Sequence, residues 1–219
     1  MGQKLFGFET DAKWDYENGF HLTSHPSRIA KLLAQYELYK MTIGLPGELV
    51  ECGVFKGASL LRFSLFRDIT GNPYARKIIG FDAFGKFPEQ TDIHDAKFIE
   101  GWEQVAGDGI SKEALEAVMA YKGHTNFEFV QGDLMKTIPA YLEANPALKI
   151  SLLHLDVDVY EPTLFFLEQL YDRVVRGGVV VFDGYAKEVG ETRAIDAFFE
   201  SRPVLIEKLQ LSHMPAYVI

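Results

Sequence analysis

Basic residues are scarce in this 219-residue chain: 22 lysines and arginines stand against 31 aspartates and glutamates, a formal net charge of −9. With no basic cluster to offset that sign, the chain is poorly suited to a polyanion, and no nucleic-acid partner is expected. Cysteine is nearly absent. The single Cys52 has no second thiol to pair with and sits among apolar residues, as a small buried side chain does. No apolar run approaches the roughly 18 residues of a spanning helix, so no membrane partner is expected. The first residues, Met1 to Gly7, lack the apolar centre of a secretory signal, and Phe6 stands where a myristoylation signal needs Ser or Thr. Internal repeats and low-complexity segments are also missing. What remains is an ordinary globular composition, a length that suits one domain over residues 1–219, and an expected cytoplasmic location.

Against those absences stands one organised stretch, Leu49-Val50-Glu51-Cys52-Gly53-Val54-Phe55-Lys56-Gly57-Ala58-Ser59. Leu49, Val50, Cys52 and Val54 read as a buried parallel strand. Gly53 and Gly57 then turn the chain into a helical run from Ser59 to Phe66. Glycines at such a turn permit positive φ and let the backbone approach a ligand, and the helix N-terminus behind them offers unpaired N–H groups. These features point to a ligand at the carboxyl edge of a parallel sheet. The spacing is not that of a dinucleotide site. The first glycine of G-x-G-x-x-G is here Glu51, whose carboxylate repels a pyrophosphate but suits a cationic amino-acid ligand.

Residues 1–23 are rich in aromatics (Phe6, Phe8, Trp14, Tyr16, Phe20) without clear periodicity and read as an arm or lid packed on the body. Ser24 is expected to cap a helix carrying Ile29, Leu32, Leu33, Tyr36 and Tyr39. Further strands are expected at 77–82, 127–133, 149–156 and 179–183, ending at Asp82, Gly132-Asp133, Asp156 and Asp183. Asp82 is placed to accept hydrogen bonds from ribose hydroxyls, and Asp133 to accept an adenine amine, to cap the next helix, or both. Between them, 83–125 opens with a loop at 84–88. It continues as helices His94–Val105 and Lys112–Lys122 and reads as a lid or substrate-selecting insertion. His94 and Trp102 are candidates to face substrate, the plainer reading being a solvated histidine and a packed tryptophan. His154 reads as a core histidine, and His25 as a candidate substrate contact. An amphipathic helix with Pro162 in its first turn carries Leu164, Leu167, Tyr171 and Val174 on one face and is broken by Arg176-Gly177-Gly178. A helix from Glu191 to Phe199 follows, and 204–211 with 216–219 forms a closing hairpin. The fold class is α/β: a Rossmann-like, seven-stranded, mostly parallel sheet with helices on both faces and a C-terminal antiparallel hairpin.

Two further segments sharpen the reading: His154-Leu155-Asp156-Val157-Asp158-Val159-Tyr160-Glu161-Pro162-Thr163, and Gly177-Gly178 leading to Phe182-Asp183-Gly184-Tyr185. Together with Val50–Gly57 and Phe81-Asp82-Ala83-Phe84 they resemble class I S-adenosylmethionine-dependent methyltransferases. More closely, the chain resembles the macrocin O-methyltransferase family, over about residues 28–199. The resemblance implies that Glu51, Gly53, Gly57 and Ser59 hold the methionine part of S-adenosylmethionine. It places Asp82, Ala83 and Phe84 at the ribose, and Gly132 and Asp133 at the adenine. Asp156, supported by Asp158, would be the general base, and Asp156 with Asp183 would hold Mg²⁺. The implied activity is O-methylation of a small-molecule hydroxyl, on a sugar or sugar-bearing natural product. The residues leave open an amine or phenol acceptor, or a non-catalytic cofactor-binding protein. The sequence departs from the family pattern at Asp183-Gly184, where two adjacent acids are usual. Asp158 is the acid that could compensate. Asp156 and Asp183 without a cation would repel each other and raise one pKa, which still makes a workable base. The apolar N-terminal arm suggests a homodimer with exchanged arms.

Overall fold

The computed structural model describes residues 2–86 and 93–219, with the side chains of Ile93, His94 and Phe98 outside the described set. The predicted loop beyond residue 86 and the candidate role of His94 therefore lie outside the described residues. The chain opens with a small hairpin, β1 (Lys4–Leu5) and β2 (Phe8–Glu9), then a 3-10 turn and helix α1 (Lys13–Thr23). Next come α2 (Pro26–Met41), β3 (Glu48–Cys52), α3 (Ala58–Thr70) and β4 (Ile78–Asp82). The predicted insertion holds α4 (Ile93–Ala106) and α5 (Lys112–Tyr121). The second half alternates β5 (Phe127–Gln131), α6 (Leu134–Ala144), β6 (Ile150–Leu155), α7 (Tyr160–Leu170), β7 (Val174–Phe182) and α8 (Val189–Phe199). Two short strands, β8 (Glu207–Lys208) and β9 (Ala216–Val218), end it.

The large sheet has the order β5-β4-β3-β6-β7-β9-β8. Strands β3 to β7 are parallel, and β9 runs antiparallel to both β7 and β8. The period of two along each strand divides the core. Val50, Cys52, Leu153, Leu155, Val180 and Phe182 face α6, α7 and α8. Leu49, Leu152, Val179 and Val181 face α2, α3 and α5. Strand order reverses at β3, between β4 and β6, and this switch point opens a crevice at the strands' carboxyl ends.

Local departures from expectation have identifiable causes. Helix α2 is capped by His25, not Ser24: the His25 Nδ1 accepts from the Ser27 N–H at 3.3 Å, and Pro26 fills the first helical position. Val174 starts β7 instead of closing a helix face. The sheet absorbs Arg176-Gly177-Gly178 as a bulge, with Ile150 opposite Val174 and Leu152 opposite Val179. A Cβ on Gly178 would stand 3.0 Å from the Ser151 carbonyl oxygen, so only glycine lets the bulge lie this close. The N-terminal arm does not bury itself on the body, since no residue from 2 to 23 is buried.

Below the sheet, opposite the crevice, Arg67 is fully buried. Its guanidinium donates to the carbonyls of Arg76 (3.2 Å), Asn126 (2.9 Å) and Thr125 (2.6 Å), and to Asp68 Oδ1 (3.0 Å). It ties α3 to the entrances of β4 and β5. Arg67→Met keeps the stem's packing but leaves these acceptors unpaired. We expect a loss on the order of 3 kcal/mol, read as a lower urea midpoint at unchanged m-value.

Candidate active site

The site grows out of strand register. Glu51 on β3 pairs with His154 on β6, and His154 pairs with Val181 on β7. All three side chains therefore share one face, and Asp183, two residues past Val181, continues the row. Both Glu51 and His154 are completely buried. Ser59, from the first turn of α3, donates to Glu51 Oε1, and His154 Nδ1 lies 3.2 Å from the same oxygen. On the other side His154 Nε2 faces Asp183 Oδ1 at 3.5 Å, an ion-pair contact wider than a good hydrogen bond. Lys31 reaches over from α2 and places its ammonium 2.5 Å from Asp183 Oδ2. A row of alternating charge results: Glu51, His154, Asp183, Lys31.

Burial alone would lower the His154 pKa, but the carboxylates on both sides override it and lift the ring to about 10. Burial would raise Asp183, but His154 and Lys31 hold it well below the usual carboxylate range. Asp156 moves the other way: burial first, then the charge of Asp183, push it well above that range, with Lys31 acting against them. Asp158 is raised to about 7, chiefly by burial and then by Glu188 and Asp183. Its backbone is left-handed, with φ of 63°, as are those of Phe55 (50°) and Phe84 (56°). Three such residues around one crevice mark a strained rim.

At the strands' carboxyl ends lies a cavity of about 250 Å³ whose wall includes none of the four residues of that row. Of the expected cofactor residues, Gly53, Asp82, Ala83 and Asp133 line it, as do Asp156 and Glu161. Gly53 must be glycine: at φ 87° its Cβ would sit 2.0 Å from the Asp156 carbonyl oxygen, because β3 and β6 nearly touch there. The Asp82 carboxylate accepts from the N–H groups of Val54 (2.6 Å), Phe55 (3.0 Å) and Phe84 (2.6 Å). It thereby fixes the glycine turn and keeps one acceptor position for a ligand hydroxyl, since a carboxylate takes about four donors. Asp133 caps α6 through the Met135 N–H at 3.1 Å and also lines the cavity. Glu51, Gly57, Ser59, Phe84 and Gly132 are absent from the wall. Glu51 lies behind Gly53, with Oε2 buried and without a hydrogen-bond partner among the described residues. Gly57, at φ 78°, starts α3, and Gly132, at φ 138°, aims Asp133.

Three buried or half-buried charged groups at the site escaped the sequence reading. His154 was legible as buried but not as charged; its register with Glu51 is the signal that was there. Lys31 carries no motif. Asp95 on α4 is buried and accepts from the Tyr160 N–H at 2.7 Å, seating the insertion at the start of α7. Trp102, a candidate to face substrate, has its ring 5.9 Å from that of Phe55, which lines the cavity.

The two expected metal ligands, Asp156 and Asp183, do converge, and His154 joins them: each offers an atom, all within 4.8 Å of one another. The chemistry of the set opposes a divalent ion. Mg²⁺ asks for oxygen ligands, whereas His154 offers a ring nitrogen and one Asp183 oxygen is held by Lys31, 2.5 Å away. A second carboxylate at position 184 would displace neighbouring acids: a Cβ on Gly184 would stand 2.8 Å from Glu188 Cγ and 3.1 Å from Glu191 Oε2. The residues present do not fit the ion.

The sheet order, the glycine turn and the acids at the strand ends define the fold of class I S-adenosylmethionine-dependent methyltransferases. The sequence pattern of the Macrocin-O-methyltransferase (TylF) family matches residues 26–214, and the chain belongs to that family. A 4'-O-methyltransferase of 8-demethyl-8-(2,3-dimethoxy-alpha-L-rhamnosyl)-tetracenomycin C from Streptomyces olivaceus is 31% identical over 150 residues, which cover 65% of this chain and 54% of that protein. The match thus spans about half the length of that relative. The calicheamicin methyltransferase CalS11 superposes with a TM-score of 0.74 at 28% identity, over 94% of this chain and 84% of its own. The O-methyltransferase NovP shares the fold, with a TM-score of 0.73 at 22% identity over 87% and 79% of the two chains.

The His154 ring imposes a testable pH dependence. Its folded pKa of about 10 exceeds the ordinary 6.5, so the native state holds a proton the unfolded state releases. This contribution to stability is complete below about pH 6.5 and disappears as pH rises through about 10. We expect the urea midpoint to fall across that window. In His154→Gln the midpoint will be lower at acid pH and this slope will be lost.

Proposed function

We propose that this protein is an S-adenosylmethionine-dependent O-methyltransferase whose acceptor is a hydroxyl of a deoxysugar, free as a nucleotide sugar or attached to a natural product. The observation that carries the reading is Asp156, whose carboxyl combines a raised pKa with a place on the cavity wall, beside the glycine turn. Two relatives support the acceptor class. The Streptomyces protein is named for methylating a rhamnosyl group, and CalS11 is described as a TDP-rhamnose 3'-O-methyltransferase.

Bound S-adenosylmethionine supplies an electrophilic methyl group on a positively charged sulfur. Gly53 lets the backbone approach its methionine portion, and Glu51, from behind, supplies negative potential toward that cationic end. Asp82 accepts from the ribose and Asp133 lies at the adenine. An aliphatic hydroxyl is a weak nucleophile until its proton leaves, and a positioned base is worth typically ~10²–10⁴-fold. Asp156 takes that proton, supported by Asp158, whose pKa of about 7 keeps it half-charged near neutrality. The residues do not fit Mg²⁺, and no step here uses it. A cytoplasmic location is part of the proposal. So is a homodimer joined through the N-terminal arm, which exposes Phe8, Trp14 and Leu22.

Calorimetric titration with S-adenosylhomocysteine tests the cofactor assignment. We expect binding in the micromolar range, weakened about tenfold or more by Asp82→Ala, which loses charge-assisted hydrogen bonds. With TDP-rhamnose and related nucleotide sugars as acceptors, Asp156→Asn should bind the product cofactor normally and lose ~10²-fold or more in turnover. Absence of binding to the unaltered protein would overturn the assignment.

A further inference from the structure

The site gathers negative charge that must be balanced. Asp156 and Asp183 converge within 4.8 Å, and Asp158 adds a third acid. Glu191 is fully buried and turns its own carboxylate toward the end of β7: Oε1 accepts from the Gly184 N–H at 2.9 Å, and Oε2 has no hydrogen-bond partner among the described residues. With Glu188, whose Cγ is the nearer atom, it borders the space that a side chain at 184 would need. Into this group Lys31 projects a mostly buried ammonium, 2.5 Å from Asp183 Oδ2. An ammonium has three donors, and Asp183 accounts for one of them.

We propose that Lys31 is a catalytic residue, the built-in cation of this site, and that it holds the acceptor oxygen in place of a divalent metal. The proposal rests on the methyltransferase reading above. Asp183 anchors the ammonium, and a remaining N–H donates to the acceptor oxygen. As Asp156 takes the hydroxyl proton, the developing negative charge on oxygen meets the fixed positive charge of Lys31. The oxygen then forms its bond to the methyl carbon as the carbon–sulfur bond breaks. That electron pair stays on sulfur, leaving a neutral thioether, and no redox partner is needed. Gly184 belongs to the same arrangement: with a cation supplied by the chain, a second adjacent acid is superfluous, and Glu188 and Glu191 border the space it would take.

Manganese is the probe that separates this proposal from the activity itself. In electron paramagnetic resonance titrations, the unaltered protein should leave Mn²⁺ free, and Lys31→Met should bind it at least about tenfold more tightly, because Asp183 is released. Lys31→Arg keeps the charge and should still exclude Mn²⁺. A thermal melt of each variant confirms folding. In turnover with TDP-rhamnose, the unaltered protein should be indifferent to a chelator. Lys31→Met should lose ~10²-fold or more in kcat while S-adenosylhomocysteine affinity stays within about threefold. Tight Mn²⁺ binding by the unaltered protein, chelator-sensitive turnover, or full activity in Lys31→Met would each overturn the role of Lys31 and leave the methyltransferase reading standing. Failure to bind S-adenosylhomocysteine would overturn both.

Discussion

An imidazolium between two buried carboxylates governs the rest of this site. Glu51 and Asp183 belong to different strands, and each alone would cost several kcal/mol to bury. His154 lies between them on the middle strand, completely enclosed. Its positive charge makes both acids tolerable, and they in turn hold its proton. Parallel register makes this arrangement possible, because Glu51 and His154 are direct neighbours across β3 and β6. Remove the ring's charge, and a core already packed by Phe63 edge-on against the imidazole contains two unbalanced anions.

From that row the two halves of the chemistry separate. At one end Glu51 lies behind the glycine turn, where the cationic part of a methyl donor belongs. At the other, Asp183 anchors Lys31, on the side where the proposed reaction puts the acceptor hydroxyl. Asp156 and Asp183 are both acids at strand ends, yet their environments push them apart. Asp183 is flanked by two cations and stays ionised. Asp156 feels burial and the Asp183 charge and is raised toward the range of a useful base. The strained backbones of Phe55, Phe84 and Asp158 surround the same crevice, held by the Asp82 carboxylate on one side.

Much of the scaffold was legible because parallel strands announce themselves as apolar runs with an acid or glycine at the end. Strands β3 to β6 fall where those runs lie, and the order and the closing antiparallel strands follow the expected α/β plan. Asp82, Asp133 and Asp156 were found because chain position alone puts them at the crevice. The sequence failed where position depends on contacts distant along the chain. Lys31 is one lysine on an amphipathic helix, and nothing near it says that it meets Asp183, 152 residues later. Gly177 and Gly178 looked like a helix breaker and form a strand bulge, since a local signal cannot tell a turn from a bulge without the neighbouring strand. The capping role of His25 was hidden by the stronger propensity of Ser24. Glu51 was expected against the ligand and lies behind the cavity wall, because its strand partner, His154, draws it inward.

The most direct test of this charge row is the ¹⁵N spectrum of the His154 ring, assigned by comparison with His154→Gln and recorded at about pH 8, well above the ordinary titration of histidine. The account predicts that both ring nitrogens carry protons there, with the shifts of an imidazolium. A neutral ring at that pH, with one nitrogen bare, would contradict it.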